Sequence, residues 1–200
     1  MKNTAVLYIH GKGGSAAEAE HYRSLFPDAE VIGFDYKAET PWDAAPEFAA
    51  FIAELKAQFG RIVLIANSIG AYFSLNAGIA DSVERAFLIS PIVSMEKLIE
   101  SMMTWANVTE RQLEAEKTIE TAFGETLSWD YLSYVRAHPI SWDVPTEILY
   151  GETDNLQSID TVRSFAEAHN AGLTVMPGGE HWFHTPEQMQ FLDAWLKNLL

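Results

Sequence analysis

The sequence predicts an α/β protein: a mostly parallel sheet of about six strands with helices on both faces. Three observations predict it. Short apolar, β-rich runs such as Thr4 to Ile9 and Ile62 to Ala66 alternate with helical patterns from the N-terminus through Ile89. Those runs lack a polar face, as strands covered on both sides of a parallel sheet do. Glycine-, serine- or acid-containing loops follow the runs, where open parallel sheets bind ligands beyond the carboxyl ends of their strands.

Thr4 to Ile9 is the first strand, ended by His10-Gly11-Lys12-Gly13-Gly14, and a helix follows over about Ala16 to Phe26. Glu30 to Tyr36 is the second strand, and Ala38 to Pro46 a loop containing Pro41 and Trp42. Glu47 to Phe59 is an amphipathic helix with Phe48, Phe51, Ile52, Leu55 and Phe59 at helical spacing and Gly60 past its end. Ile62 to Ala66 is the third strand, Ala71 to Ala80 the next helix, and Ala86 to Ile89 the fourth strand, closed by Ser90-Pro91. This order implies right-handed crossovers, which bring His10, Ser68 and Ser90 to one edge of the sheet.

From Ser94 to about His138 the rhythm breaks. Helical patterns run over Met95 to Ala106, from the N-cap Thr109 through about Phe123, and over Trp129 to Ala137, with no strand among them. The expectation is one domain over residues 1–200 with a helical cap inserted over about 94–140. Met102, Met103, Trp105, Trp129 and Tyr131 are candidates for an apolar pocket wall, the alternative being plain packing between helices. The core resumes with a strand at Thr146 to Tyr150, a helix over Ser158 to Asn170 and a last strand at Leu173 to Met176. Thr185 caps a terminal helix that Pro186 opens.

Composition narrows the function. Two hundred residues with 48% apolar content suit one domain, or one domain with an insertion. No apolar run is long enough to span a bilayer, and the N-terminal run is too short for a signal peptide, so no membrane insertion is expected. The absence of cysteine excludes disulfides, thiolate metal sites and a cysteine nucleophile, and fits a cytoplasmic protein. A formal net charge of −15 disfavours nucleic acid and anionic membranes as partners.

The stretch Ala66-Asn67-Ser68-Ile69-Gly70 joins a buried strand to a helix. A serine there, with small residues two before and two after, has the makings of a nucleophile elbow, a turn so sharp that bulky flanking residues would collide with their neighbours. Such a turn lifts the Ser68 hydroxyl over the end of the sheet and leaves the Ile69 N–H at a helix N-terminus, where an oxyanion could be held. The pattern departs from G-x-S-x-G only in Ala66, which preserves the steric logic. Two later loops carry the groups a serine needs. Asp154 follows the penultimate strand, with Glu152 and Asp160 as alternative acids. His181 follows the last strand, with His184 as the alternative base. An imidazole takes the hydroxyl proton, and a carboxylate on its far nitrogen fixes the tautomer.

With those residues in place, the sequence resembles the small members of the α/β-hydrolase superfamily. Ala66 to Gly70 matches the family's elbow, Asp154 its acid, His181 its base and His10 to Gly14 its H-G-x-G-G loop. The resemblance covers essentially the whole chain, without the two leading strands of larger members. Among small members it is most similar to the serine hydrolases grouped with retinoblastoma-binding protein 9. It implies a Ser68-His181-Asp154 triad and an oxyanion hole formed by the backbone N–H groups of Lys12 and Ile69, with His10 holding the loop. It also implies a small-molecule ester-like substrate, and no cofactor or metal.

Two readings compete with it. Gly11 to Ala16 fits G-x-G-x-x-A after a strand, with Asp35 ending the next strand, so a dinucleotide-binding protein or oxidoreductase is one alternative. The other is a hydrolase scaffold that has lost its chemistry and serves as an interaction module. A metal site built from His181 and His184 lacks a third ligand, and no phosphate loop of the G-x-x-x-x-G-K-[ST] type occurs.

Overall fold

Six strands with continuous apolar character pair in register through the computed structural model, which describes residues 2–200. They are β1 (Thr4–Ile9), β2 (Glu30–Phe34), β3 (Arg61–Asn67), β4 (Arg85–Ile89), β7 (Thr146–Gly151) and β8 (Gly172–Met176). All neighbours are parallel, in the order β2-β1-β3-β4-β7-β8. The central pairing sets Leu7 opposite Leu64 and Ile9 opposite Ala66. The carboxyl ends of all six strands therefore lie along one edge, and the loops that carry Gly11, Ser68, Ser90, Asp154 and His181 leave from it.

The period of two along each strand sorts the core into two layers. Val6, Tyr8, Ile65, Phe87, Ile89, Leu149 and Met176 join a 3-10 helix (Ala16–Ser24) and the terminal helix α7 (Pro186–Leu199) in one apolar cluster. There, Trp195 meets Phe87 edge-on at 5.9 Å. The intervening residues Leu7, Leu64 and Leu88 are equally buried. They serve the opposite face, on which α1 (Pro41–Lys56) and α2 (Ile69–Asn76) pack against β1 and β3. Phe48 of α1 bridges Phe34 of β2 and Phe73 of α2 through edge-on ring contacts. Helix α6 (Ile159–Ala168) packs against β8.

Residues Met1–Val93 and Ser141–Leu200 form one compact unit and Ser94–Ile140 a second. The second contains α3 (Met95–Trp105), α4 (Glu110–Glu116), the short strands β5 (Thr118–Glu120) and β6 (Thr126–Ser128), and α5 (Trp129–Ala137). Arg136 of α5 ties three elements together, bonding Glu96 of α3 at 2.6 Å and Glu110 of α4 at 2.7 Å. The guanidinium holds the Glu110 carboxyl below the usual carboxylate range.

Three expectations are corrected. The helix expected over Glu47 to Phe59 begins at Pro41, because Thr40 accepts the Asp43 N–H and Pro41 occupies a first-turn position where no N–H is needed. Pro46 is accommodated inside it rather than ending a loop. The helix expected after the 10–14 loop is a 3-10 helix. The insertion contains a β-hairpin where no strand was expected. Helix α4 stops at Lys117, whose φ is 69°, and β5 and β6 pair antiparallel across a turn in which Gly124 has φ 86°. The Thr121 hydroxyl braces that turn by donating to the Glu125 carbonyl at 2.7 Å.

Leu7 has no solvent exposure on a central strand. Leu7→Ala is expected to lower unfolding stability by about 2–5 kcal/mol, read as a shift of the urea midpoint.

Candidate active site

Strand β3 delivers the chain to Ser68 already committed to a sharp reversal. Ser68 sits at φ 52°, ψ −123°, a conformation that costs a side-chain-bearing residue on the order of 1–3 kcal/mol. Three bonds enforce it: Ser68 N–H donates to the Ile89 carbonyl at 3.1 Å, and its own carbonyl accepts from Ala71 and Ile92, each at 3.1 Å. The turn also requires Gly70, since a Cβ there would lie 2.3 Å from the His10 carbonyl oxygen. Helix α2 thus begins against the end of β1, and the N–H of Ile69, its first residue, has no acceptor within the helix.

The Ser68 hydroxyl lies 2.8 Å from His181 Nε2, and His181 Nδ1 lies 2.7 Å from Asp154 Oδ2. A carboxylate can only accept, so Nδ1 donates to it and Nε2 is left to accept from the hydroxyl. The Asp154 side chain has no solvent exposure and that of His181 little. The other carboxylate oxygen, Oδ1, accepts from the N–H groups of Leu156 at 2.8 Å and Gln157 at 3.3 Å. Sequence order therefore brings together the three residues it singled out.

The alternatives point elsewhere. Glu152 is exposed and accepts the Gly178 N–H at 2.8 Å, fastening the acid loop to the histidine loop. Thr153 does the same through its N–H and hydroxyl, both on the Gly179 carbonyl. Asp160 is exposed and paired with Arg163. His184 is exposed, stacks on Trp182 and bonds the Trp182 carbonyl.

His10 is buried, stacks on Tyr36 at 4.4 Å and donates from Nδ1 to the Gly11 carbonyl at 2.8 Å. The Tyr36 hydroxyl donates to the His10 carbonyl, so ring and backbone together hold the loop on which Lys12 lies. Beside Asp154, burial and the nearby carboxylate push the Tyr150 phenol up to about 12. It stays protonated and donates to the Gln157 carbonyl at 2.8 Å.

A cavity of about 290 Å³ opens at Ser68, lined by Gly11 to Gly14, Glu18, Asn67, Ser68, His181 and Trp182. Glu18, Asn67 and Trp182 were not singled out from the sequence. Asn67 stands there only as a member of the elbow stretch, and the one signal for Trp182 would be an aromatic residue beside His181. The five apolar residues of the insertion belong to the second unit. Met103 is buried and Met102 partly buried on α3, Trp105 is half exposed, and Trp129 and Tyr131 are partly buried on α5. Among the described residues no group of three or more His, Asp or Glu side chains is arranged to hold a metal, and no helix is long and apolar enough to cross a membrane.

A family model described as "Alpha/beta hydrolase family" matches residues 6–194, and the chain belongs to that family. Among solved structures, Est1E from Butyrivibrio proteoclasticus superposes with a TM-score of 0.78 at 16% identity, over 99% of this chain and 87% of that one. Mouse alpha/beta hydrolase domain-containing protein 10 follows with a TM-score of 0.73 at 17% identity, over 98% and 88%. The esterase PF2001 of Pyrococcus furiosus gives a TM-score of 0.65 at 20% identity, over 99% and 80%. At these identities the likeness concerns the fold. A sequence comparison with curated proteins finds no match.

Gly70→Val places a branched side chain against the His10 backbone. It is expected to cost about 1–3 kcal/mol, measured by urea unfolding, because neither backbone segment can retreat without moving β1 or α2.

Proposed function

We propose that this protein is a serine hydrolase that cleaves a carboxylic ester or related acyl bond of a small to medium substrate. The observation that carries the reading is the unbroken chain of two short hydrogen bonds from Ser68 through His181 to Asp154, set on a strained elbow beside a cavity. The Pyrococcus furiosus neighbour, an esterase, fits the same reading.

In this reading Ser68 Oγ attacks the substrate carbonyl while its proton passes to His181 Nε2. Asp154 stabilises the imidazolium and holds its orientation. The backbone N–H groups of Ile69 and Lys12 receive the oxyanion, each donor being worth roughly 3–4 kcal/mol in systems of this type. His181 then gives its proton to the departing group, an acyl-enzyme remains on Ser68, and a water deprotonated by His181 releases the acid. Every group needed is in the protein chain, so the reading calls for no cofactor or metal.

The dinucleotide reading has less behind it. The segment after the glycine loop is a 3-10 helix, and the amide of its N-cap, Ser15, donates to the Glu18 carboxylate at 3.0 Å. Asp35, which would hold a ribose, is exposed and paired with Lys37 at 2.7 Å. The ammonium of Lys37 lowers its carboxyl below the ordinary value.

Intact mass after incubation with a fluorophosphonate is expected to show one adduct on the wild type and none on Ser68→Ala, whose ester hydrolysis should fall on the order of 10⁶-fold with its melting temperature unchanged. Labelling of the variant, or none of the wild type, overturns the reading. The pocket role of the insertion's apolar residues is a separate proposal, tested at Trp105, which is half exposed and meets Phe123 edge-on. Trp105→Ala should shift preference along a series of 4-nitrophenyl esters from acetate to decanoate. A uniform loss at every chain length refutes that role.

A further inference from the structure

A carboxylate is built into the wall of the Ser68 cavity, and the proposed reaction has no use for it. Glu18 lines the same cavity as Ser68 and His181. Its position is fixed from two sides. Oε2 accepts from the Tyr8 hydroxyl at 2.5 Å, and Oε1 accepts from the Ser15 N–H at 3.0 Å. Tyr8 is almost fully buried on β1, and burial pushes its phenol well above the ordinary value, so it remains a donor. Asn67, the residue before Ser68, lines the same cavity. Gly14 leaves the space the carboxylate fills, since a Cβ there would come within 2.7 Å of Oε1.

A carboxylate has about four acceptor positions, and two are used here. Glu18 is solvent-exposed and lines the cavity, so its carboxylate has acceptor capacity left for a ligand there. Trp182, two-thirds exposed, contributes an aromatic surface to the same cavity. A fixed carboxylate and an exposed indole together are the pairing that receives a cationic group: the first by charge, the second through its π face. Lys12 also lines the cavity, where its backbone N–H is the proposed oxyanion donor.

We propose that Glu18, assisted by Trp182, is a specificity determinant that selects substrates carrying a cationic amine or quaternary ammonium group close to the scissile acyl bond and disfavours anionic ones. The inference rests on the serine-hydrolase reading. Glu18 is a binding residue in it and takes no part in bond making.

The test uses three fluorophosphonate probes with matched chains ending in trimethylammonium, tert-butyl or carboxylate, each followed by intact mass to give a rate constant for modification of Ser68. The cationic probe is expected to react about tenfold faster than the neutral one, and the anionic probe slower still. Raising salt from 50 mM to 500 mM should shrink the cationic preference while leaving the neutral rate unchanged. Glu18→Gln preserves one acceptor for the Tyr8–Ser15 pair but removes the charge. It should bring the cationic and neutral rates within about twofold of each other. Equal slowing of all three probes by Glu18→Gln would mean a purely structural residue and overturns the inference. Equal rates for the three probes on the wild type also overturn it while leaving the serine-hydrolase reading intact. Absence of labelling by every probe removes that reading and the inference with it. If Glu18→Gln does not fold, the salt dependence of the wild-type preference decides.

Discussion

The carboxyl edge of the sheet is organised by one constraint: the chain must leave β3 and enter α2 within a single residue. Ser68 satisfies it with a backbone that side chains rarely adopt, and the surroundings are built to keep it there. Its N–H is anchored to β4 and its carbonyl to the segment after β4. Gly70 lets the helix start within reach of the His10 carbonyl, just past the end of β1. Relaxing any of these contacts would let the turn widen into an ordinary helix cap, and the hydroxyl would drop away from His181.

Around that turn the remaining loops are braced against one another rather than against solvent. The acid loop after β7 and the histidine loop after β8 share bonds through Glu152, Thr153 and Gly179, so Asp154 and His181 stand on loops fastened to each other. Gln157 extends this bracing toward the centre of the sheet: its N–H reaches Asp154, and its side-chain oxygen accepts the Val93 N–H at 3.1 Å. Gln188, buried at the start of α7, accepts the His184 N–H and donates to Glu180, closing the histidine loop from behind. Precision at the serine thus comes from loops locked at both ends, consistent with sites that must hold geometry to a fraction of an ångström.

Much of this was legible in the sequence because the signals are local. Apolar runs such as Ile62 to Ala66 need no tertiary information to read as buried strands. A serine between small residues, followed by an acid and a histidine in successive post-strand loops, is a pattern along the chain. The misread elements are those in which local signals conflict. Pro46 reads as a helix breaker, yet Thr40 and Pro41 supply a stronger start upstream. The strands β5 and β6 are three residues each, too short for alternation to register, and depend on the positive φ of Lys117 and Gly124. Glu18 was invisible for a different reason. Its place in the cavity depends on Tyr8, ten positions away on a strand, which only the fold brings near.

The order in which these groups are encoded has a consequence for synthesis. The hydrogen bond from Ser68 to His181 spans 113 positions, and the whole second unit is made between them. A chain that stops short of His181 holds the elbow serine without the imidazole that meets it here. That imidazole follows β8, the last strand of the sheet in chain order. A fragment that stops before β8 therefore lacks the Ser68–His181 hydrogen bond altogether.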